Sequence, residues 1–348
     1  MSSIGDLLVR RGAEMISARL QSRQQAELIH GWLGLAILIL TGFAFIFMIF
    51  WVEYTCTHVI ATLAAVEVSD SHAYIRLDSE NTPDNSLGED SKPITSGLRS
   101  AVKHLRARGG GSIWSTFRAF RMFLAFTGFN MVVGVVVGAL GATAIPIDSV
   151  IPSALSQFVS SMLSATWQMA WVHLVIADKS PRSSYRRKLG LQHWPRIAPA
   201  AALYSGLMCV GFSLKAHAAA RLAASTFLDT GEYTKGILNF ILLGVLPALL
   251  MFFVTLPAKA VFVRVAASML PEEDEPIVPF DRAFGGKVRA TGELGLLDAW
   301  KTFGWAARKR FLVIIVKALA IEAALCLVAV LLVMGEMAIV IRTGPPPL

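Results

Sequence analysis

Charge is scarce in this chain. Asp, Glu, Lys and Arg make up only 16% of its 348 residues, whereas soluble domains carry about 25%. Cysteine is scarce too. Cys56, Cys209 and Cys326 each lie in or beside an apolar run, with no motif spacing between them. That excludes a disulfide framework and a zinc site and leaves small buried hydrophobes. Catalytic signatures are missing: there is no Gly-x-Ser-x-Gly, no His-Glu-x-x-His, no phosphate-binding glycine loop and no dinucleotide fingerprint. The expectation is no enzyme, no catalytic residue, no cofactor and no metal. Gly109-Gly110-Gly111 follows a basic patch and reads as a hinge. A cleavable leader is not expected either, because Asp6, Glu14 and Glu27 interrupt the basic N-terminus.

Long apolar runs are what the chain has. It is 55% hydrophobic, with mean hydropathy +0.58. A bilayer core is crossed by about 20 mostly apolar residues in a helix, and six segments qualify: 32–52 (extendable as helix to Val66), 122–145, 151–177, 197–214, 237–262 and 311–341. The expected fold class is all-α: a polytopic integral membrane protein, six transmembrane helices in three hairpins with amphipathic surface helices. Residues 1–31 form an N-terminal amphipathic segment with Ile4, Leu7, Leu8, Met15 and Leu20 on one face. Hairpin one is 32–145 and contains a long loop, 67–120, whose acidic, Ser- and Pro-rich middle reads as disordered. Hairpin two is 151–214, hairpin three is 237–341, and 342–348 is a loose tail.

The net charge of +8 points to lipid rather than nucleic acid, because the basic residues flank apolar spans. The loops 67–120, 178–196 and 263–310 carry seven, six and eight Lys or Arg. The N-terminus, the 215–236 loop and the C-terminus carry four, three and one. The basic loops are therefore expected on the cytoplasmic or matrix side, with both termini opposite. The expected partners are the lipid bilayer and its anionic headgroups, with a small-molecule solute as a further candidate; protein partners are unknown.

Ionisable side chains at bilayer depth are costly and often mark a pathway. Glu53, His173, Lys259, Lys317, Glu322 and Glu336 qualify. Five residues beyond the first three come His58, Asp178 and Arg264. If the hairpins surround a pseudo-threefold axis, Glu53, His173 and Lys259 form one layer near it, and His58, Asp178 and Arg264 a second. The alternative is that these residues end their spans and snorkel to headgroups. Asn130, Gln157, Gln168 and Asn239 either line a cavity or bond between helices. Gly134-Val135-Val136-Val137-Gly138 reads as a helix contact.

The third hairpin holds Pro257 and Arg264 at the end of its odd span, then Gly295 followed after four residues by Trp300-Lys301. On these residues and on topology the chain resembles the mitochondrial carrier family. The resemblance implies a small-solute transporter using alternating access, a mitochondrial membrane as one location among cellular membranes, and a gate of charges between repeats. Here Lys259 stands where that family has an acid, Phe262 where it has a base, and Leu294 where it has the acid before Gly295. The other repeats have Trp51 and Trp171 in place of proline. These departures favour an alternative: a non-transporting scaffold, organising or accessory protein. The stretches 171–178 and 279–286 also resemble fungal six-span membrane proteins of unknown function.

Overall fold

Apolar runs become helices here because a helix is the one open segment that satisfies all its backbone groups within itself. The computed structural model describes residues 32–68, 93–144, 150–179, 191–226, 244–290 and 292–343. The amphipathic segment 1–31, the acidic middle of the first long loop, Asn239 and the tail beyond Thr343 lie outside these. The helices are α1 (Trp32–Val66), α2 (Leu98–Arg108), α3 (Phe120–Ala144), α4 (Val150–Leu163), α5 (Ala165–Ile176) and α6 (Trp194–Thr226). Next come α7 (Leu246–Ser268), α8 (Leu296–Lys301) and α9 (Trp305–Thr343). Five helices among the described residues are long and apolar enough to cross a membrane, on α1, α3, α6, α7 and α9. Their flanks expose large apolar side chains such as Leu40, Phe43, Met131, Phe253 and Met334, a surface that water would not tolerate and lipid does. The chain is a predominantly α-helical integral membrane protein.

The expected span 151–177 is two helices, of 14 and 12 residues, meeting at Ser164. Serine explains the break. Ser156, Ser160 and Ser164 turn their hydroxyls back onto the carbonyls of Ser153, Gln157 and Ser161, a habit that bends helices. The carbonyl of Ser161 also accepts from Gln168, and that of Met162 from the Trp194 indole at 2.9 Å.

Two further irregularities have local causes. α1 is π-wound over Glu53–Ile60, and the Thr57 carbonyl in that stretch accepts from Lys259 Nζ at 2.9 Å. α7 is π-wound over Met251–Thr255, just before Pro257. The ring of Pro257 carries no N–H, and the wider turn absorbs the interruption.

The chain falls into two compact units: Met1–Tyr54 with Val316–Leu348, and Thr55–Ile315. In the first, Thr41 donates to Glu336 at 2.8 Å, joining α1 to α9. In the second, the C-terminal ends of α1, α5 and α7 pack on one another. Ala61, Ala64, Ala65, Ala170, Ala260 and Ala266 are fully buried there. Small side chains let the backbones approach closely, which is how membrane helices gain packing energy.

Beyond these ends the second unit carries a small antiparallel pair, β1 (Ala177–Lys179) with β2 (Glu275–Pro276), which the all-α expectation lacked. The acidic loop before it is anchored: Arg282 donates to the carbonyls of Pro271, at 2.7 Å, and Asp274. Arginines tie the helix ends to the starts of other spans. Arg118, two residues before α3, donates to Val175 and Ala177 at the end of α5. Arg196, in the first turn of α6, lies 3.9 Å from Glu293 in the loop after α7. Arg310, in the first turns of α9, donates to the Glu67 carbonyl at the end of α1 at 2.8 Å. A cation at a helix C-terminus meets unsatisfied carbonyls and the negative end of the dipole.

Candidate functional site

One face of α4 and α5 is polar although the segment reads as apolar overall. Ser153, Ser156, Gln157, Ser161 and Gln168 recur at helical spacing. They form one wall of a cavity of about 870 Å³. Phe123, Phe126, Trp171, Tyr204 and Phe262 supply aromatic surface, and among the described residues the ionisable lining groups are His58, Lys259 and Tyr204. The His58 ring meets Phe123 edge-on at 5.1 Å and Trp171 at 6.2 Å. Tyr204 stacks on Phe262 at 6.0 Å. Within the wall, Ser164 donates to Asn130 at 2.8 Å and Gln168 to Ser164 at 3.0 Å. Of the four expected amides, Asn130, Gln157 and Gln168 therefore reach the cavity, and Asn130 and Gln168 also bond between and within helices.

The expected site residues of the second unit do not gather into two layers. His58 and Lys259 share the cavity. His173 is buried, with its Nε2 2.8 Å from the Ala266 carbonyl. Asp178 sits on β1, 3.2 Å from Arg108 and 3.6 Å from Arg118. Burial holds the Arg118 guanidinium below its ordinary pKa, and Asp178 opposes that shift. Arg264 is buried and donates to Ala65, Ala299 and Thr302 at 2.9–3.0 Å. Its guanidinium also lies over Phe284 and Phe303. In the first unit, Glu53 is exposed and lies within electrostatic reach of Glu322; Lys317 is exposed on α9.

The carrier-like motif has local structural roles. Gly295 opens α8. Trp300 supports the Arg308 guanidinium at 3.7 Å and accepts a hydrogen bond from it. Lys301 is exposed.

Family models, curated proteins and solved structures offer no match to this chain.

The buried carboxylate of Glu67, the ties that Arg118 and Arg310 make to distant helix ends, and the aromatic wall carry no local sequence signal. The serine stripe from Ser153 to Ser164 was a visible signal for the cavity, because five serines on one face of an apolar segment need a reason to be there. The two glycines of the small-residue stretch differ in a testable way. A Cβ on Gly138 would meet Ser156 Oγ at 3.7 Å, whereas one on Gly134, which lines the cavity, meets nothing within 4 Å. Gly138→Leu should overpack the α3–α4 contact and cost about 1–3 kcal/mol. Gly134→Leu should leave thermal stability unchanged. Melting both variants in detergent checks this; equal melting points would refute it.

Proposed function

We propose that this protein is a carrier-like small-solute transporter working by alternating access, with the cavity between α3, α4, α6 and α7 as its binding site. The observation that carries the reading is the cavity itself: it combines hydroxyl and amide groups with Lys259 and His58 on helices long and apolar enough to cross a membrane. Such groups are costly in hydrocarbon. In this architecture α4 and α5 together make a sixth, broken span, and the chain has three hairpins. The arginine ties support that arrangement, since Arg118, Arg196 and Arg310 each join the start of one hairpin's second helix to the next hairpin. A broken helix lining a central site is a common way to build a transport pathway. The basic loops then face the cytoplasm or matrix, in a mitochondrial or another cellular membrane.

A second reading is favoured by a specific observation. Three residues that fall where a carrier's gate lies, His173, Asp178 and Arg264, are engaged in local structural contacts. The packed Ala- and Val-rich helix ends close that side. A scaffold or accessory protein needs no moving gate. The deciding experiment is uptake by purified protein in liposomes across a panel of solutes. Uptake that Gly134→Leu reduces about tenfold or more, by filling the site, supports transport. A folded protein that moves none of them supports the scaffold.

A further inference from the structure

The polar stripe of α4 and the apolar rim of the cavity meet at one end. A Cβ on Gly138 would lie 3.7 Å from Ser156 Oγ, and one on Gly206 3.8 Å from the Phe158 ring. Further along α4, Ser164 bonds to Asn130 and the Met162 carbonyl to Trp194. Helices α3 and α6 therefore both run antiparallel to α4, and Ser156 and Gln157 stand close to the level of Val135, Met208 and Phe212. These three apolar lining residues, with Met131, are 47–73% exposed. They lie on helices long and apolar enough to cross a membrane, so this end of the cavity opens toward acyl chains. At the other end stand the buried Trp171 and Phe262. We infer that the site takes an uncharged lipid with a hydroxyl head, entering sideways from the bilayer. This rests on the transport reading for its site and names the substrate class.

Each part of such a molecule has a counterpart. Among the described residues no hydrogen bond engages the Gln157 carboxamide, which offers two donors and an acceptor. The Ser156 hydroxyl donates to the Ser153 carbonyl, and its oxygen still accepts. A ligand hydroxyl can give its proton to the serine oxygen and accept one from the amide. Lys259 and His58 are already engaged, by the Thr57 carbonyl and by the Phe123 and Trp171 rings, and the head asks nothing of them. An uncharged head also suits the route, because bringing a hydroxyl through acyl chains costs far less than bringing an ionised group. The apolar body lies inward, along Phe126 and toward Tyr204 and Phe262, which stack on each other. The volume of about 870 Å³ suits one such molecule. A sterol and a monoacylglycerol both carry a hydroxyl on an apolar body, and the experiment tells them apart.

The test uses the full chain in lipid nanodiscs with two diazirine-bearing probes, a sterol and a monoacylglycerol. Each is paired with the analogue in which hydrogen replaces every hydroxyl, and a diazirine fatty acid is the charged control. Labelled peptides are mapped by mass spectrometry. The expected result is labelling on the cavity faces of α3 and α6, about tenfold stronger for a hydroxyl probe than for its deoxy analogue, the difference that two neutral hydrogen bonds supply. Gly134→Leu should suppress the labelling, and Gly134→Ala should retain it. Gln157→Leu should cut the preference over the deoxy analogue to about threefold, since one of the two bonds is lost. Preference for the sterol probe identifies a sterol as the source of the hydroxyl, and preference for the other a glyceride. Equal labelling by the deoxy analogues overturns the proposal, as does stronger cavity labelling by the fatty acid than by both hydroxyl probes. So does labelling spread over α1 and α9 that Gly134→Leu leaves intact, or a preference that Gln157→Leu does not change. Cavity labelling without transfer between leaflets or across the liposome sinks transport but not this ligand class. Uptake of a water-soluble solute without cavity labelling does the reverse.

Discussion

Arg264→Ala is expected to lower the melting temperature of the purified protein by about 5–10 °C, more than any substitution in the cavity. The side chain is 5% exposed and donates to three acceptors: Ala65 at the end of α1, Ala299 in α8 and the hydroxyl of Thr302. Truncation takes the charged donor from two buried helix-end carbonyls, leaving that of Ala299 with the Thr302 hydroxyl at 3.5 Å, and removes the support of two rings. Hydrogen bonds to charged groups and the orphaned acceptors together make a loss of about 3–4 kcal/mol. Phe284 adds to it, since its backbone sits at φ +48°, a conformation a bulky residue adopts only when its surroundings hold it there. Asp281 holds that turn through the N–H groups of Ala283, Phe284 and Gly285, and the Arg264 guanidinium covers the ring at 4.7 Å. Arg264→Lys should recover little, because an ammonium cannot span the planar fork of acceptors. A variant that melts normally but stops transporting would instead place Arg264 in the pathway and contradict this structural role.

Glu67→Ala should be nearly as damaging. The Glu67 carboxylate is buried and accepts from the backbone N–H of Ile94 at 2.7 Å and of Thr95 at 3.1 Å, and from the Thr95 hydroxyl. It thereby seats the chain where it returns from the first long loop. Arg310 lies 3.7 Å away, its side chain only 9% exposed. Removing one partner of a buried ion pair strands the other, at a cost of about 3–5 kcal/mol. The Glu67→Ala, Arg310→Met pair should be less destabilised than the sum of the single variants, because the stranded cation is gone. Additive melting shifts in that cycle would show that the two charges do not depend on each other. Protease sensitivity of the 67–120 loop should rise with Glu67→Ala, since two of the anchoring N–H groups lose their acceptor.

The contrast between Arg264 and Lys259 shows how far local pattern reaches. Both lie on α7, and in sequence both read as intramembrane charges of a gate. Lys259 faces the cavity, while Arg264, five residues on, is enclosed by α1, α8 and Phe284. Which of these a helix residue meets is decided by elements two hundred residues away, as with Ala65. The position of His173 is decided in the same way. Its ring turns to a carbonyl of α7 rather than to the cavity that Trp171 lines.

What the sequence determined by itself is the membrane and the helices. Runs of about 20 apolar residues have no other stable place, so the five long helices follow from composition and length. The basic loops flanking them were equally legible, because Lys and Arg cluster in three connections. The tertiary structure decided the rest. It breaks the segment 151–177 at Ser164, because serine hydroxyls compete for the helix carbonyls and Asn130, Gln168 and Trp194 are there to satisfy the freed groups. It turns basic loop residues into caps, because helix ends expose carbonyls only once they are packed together. It opens a polar cavity beside an apolar surface, because the faces of α3, α4 and α6 are assigned by packing and not by hydropathy.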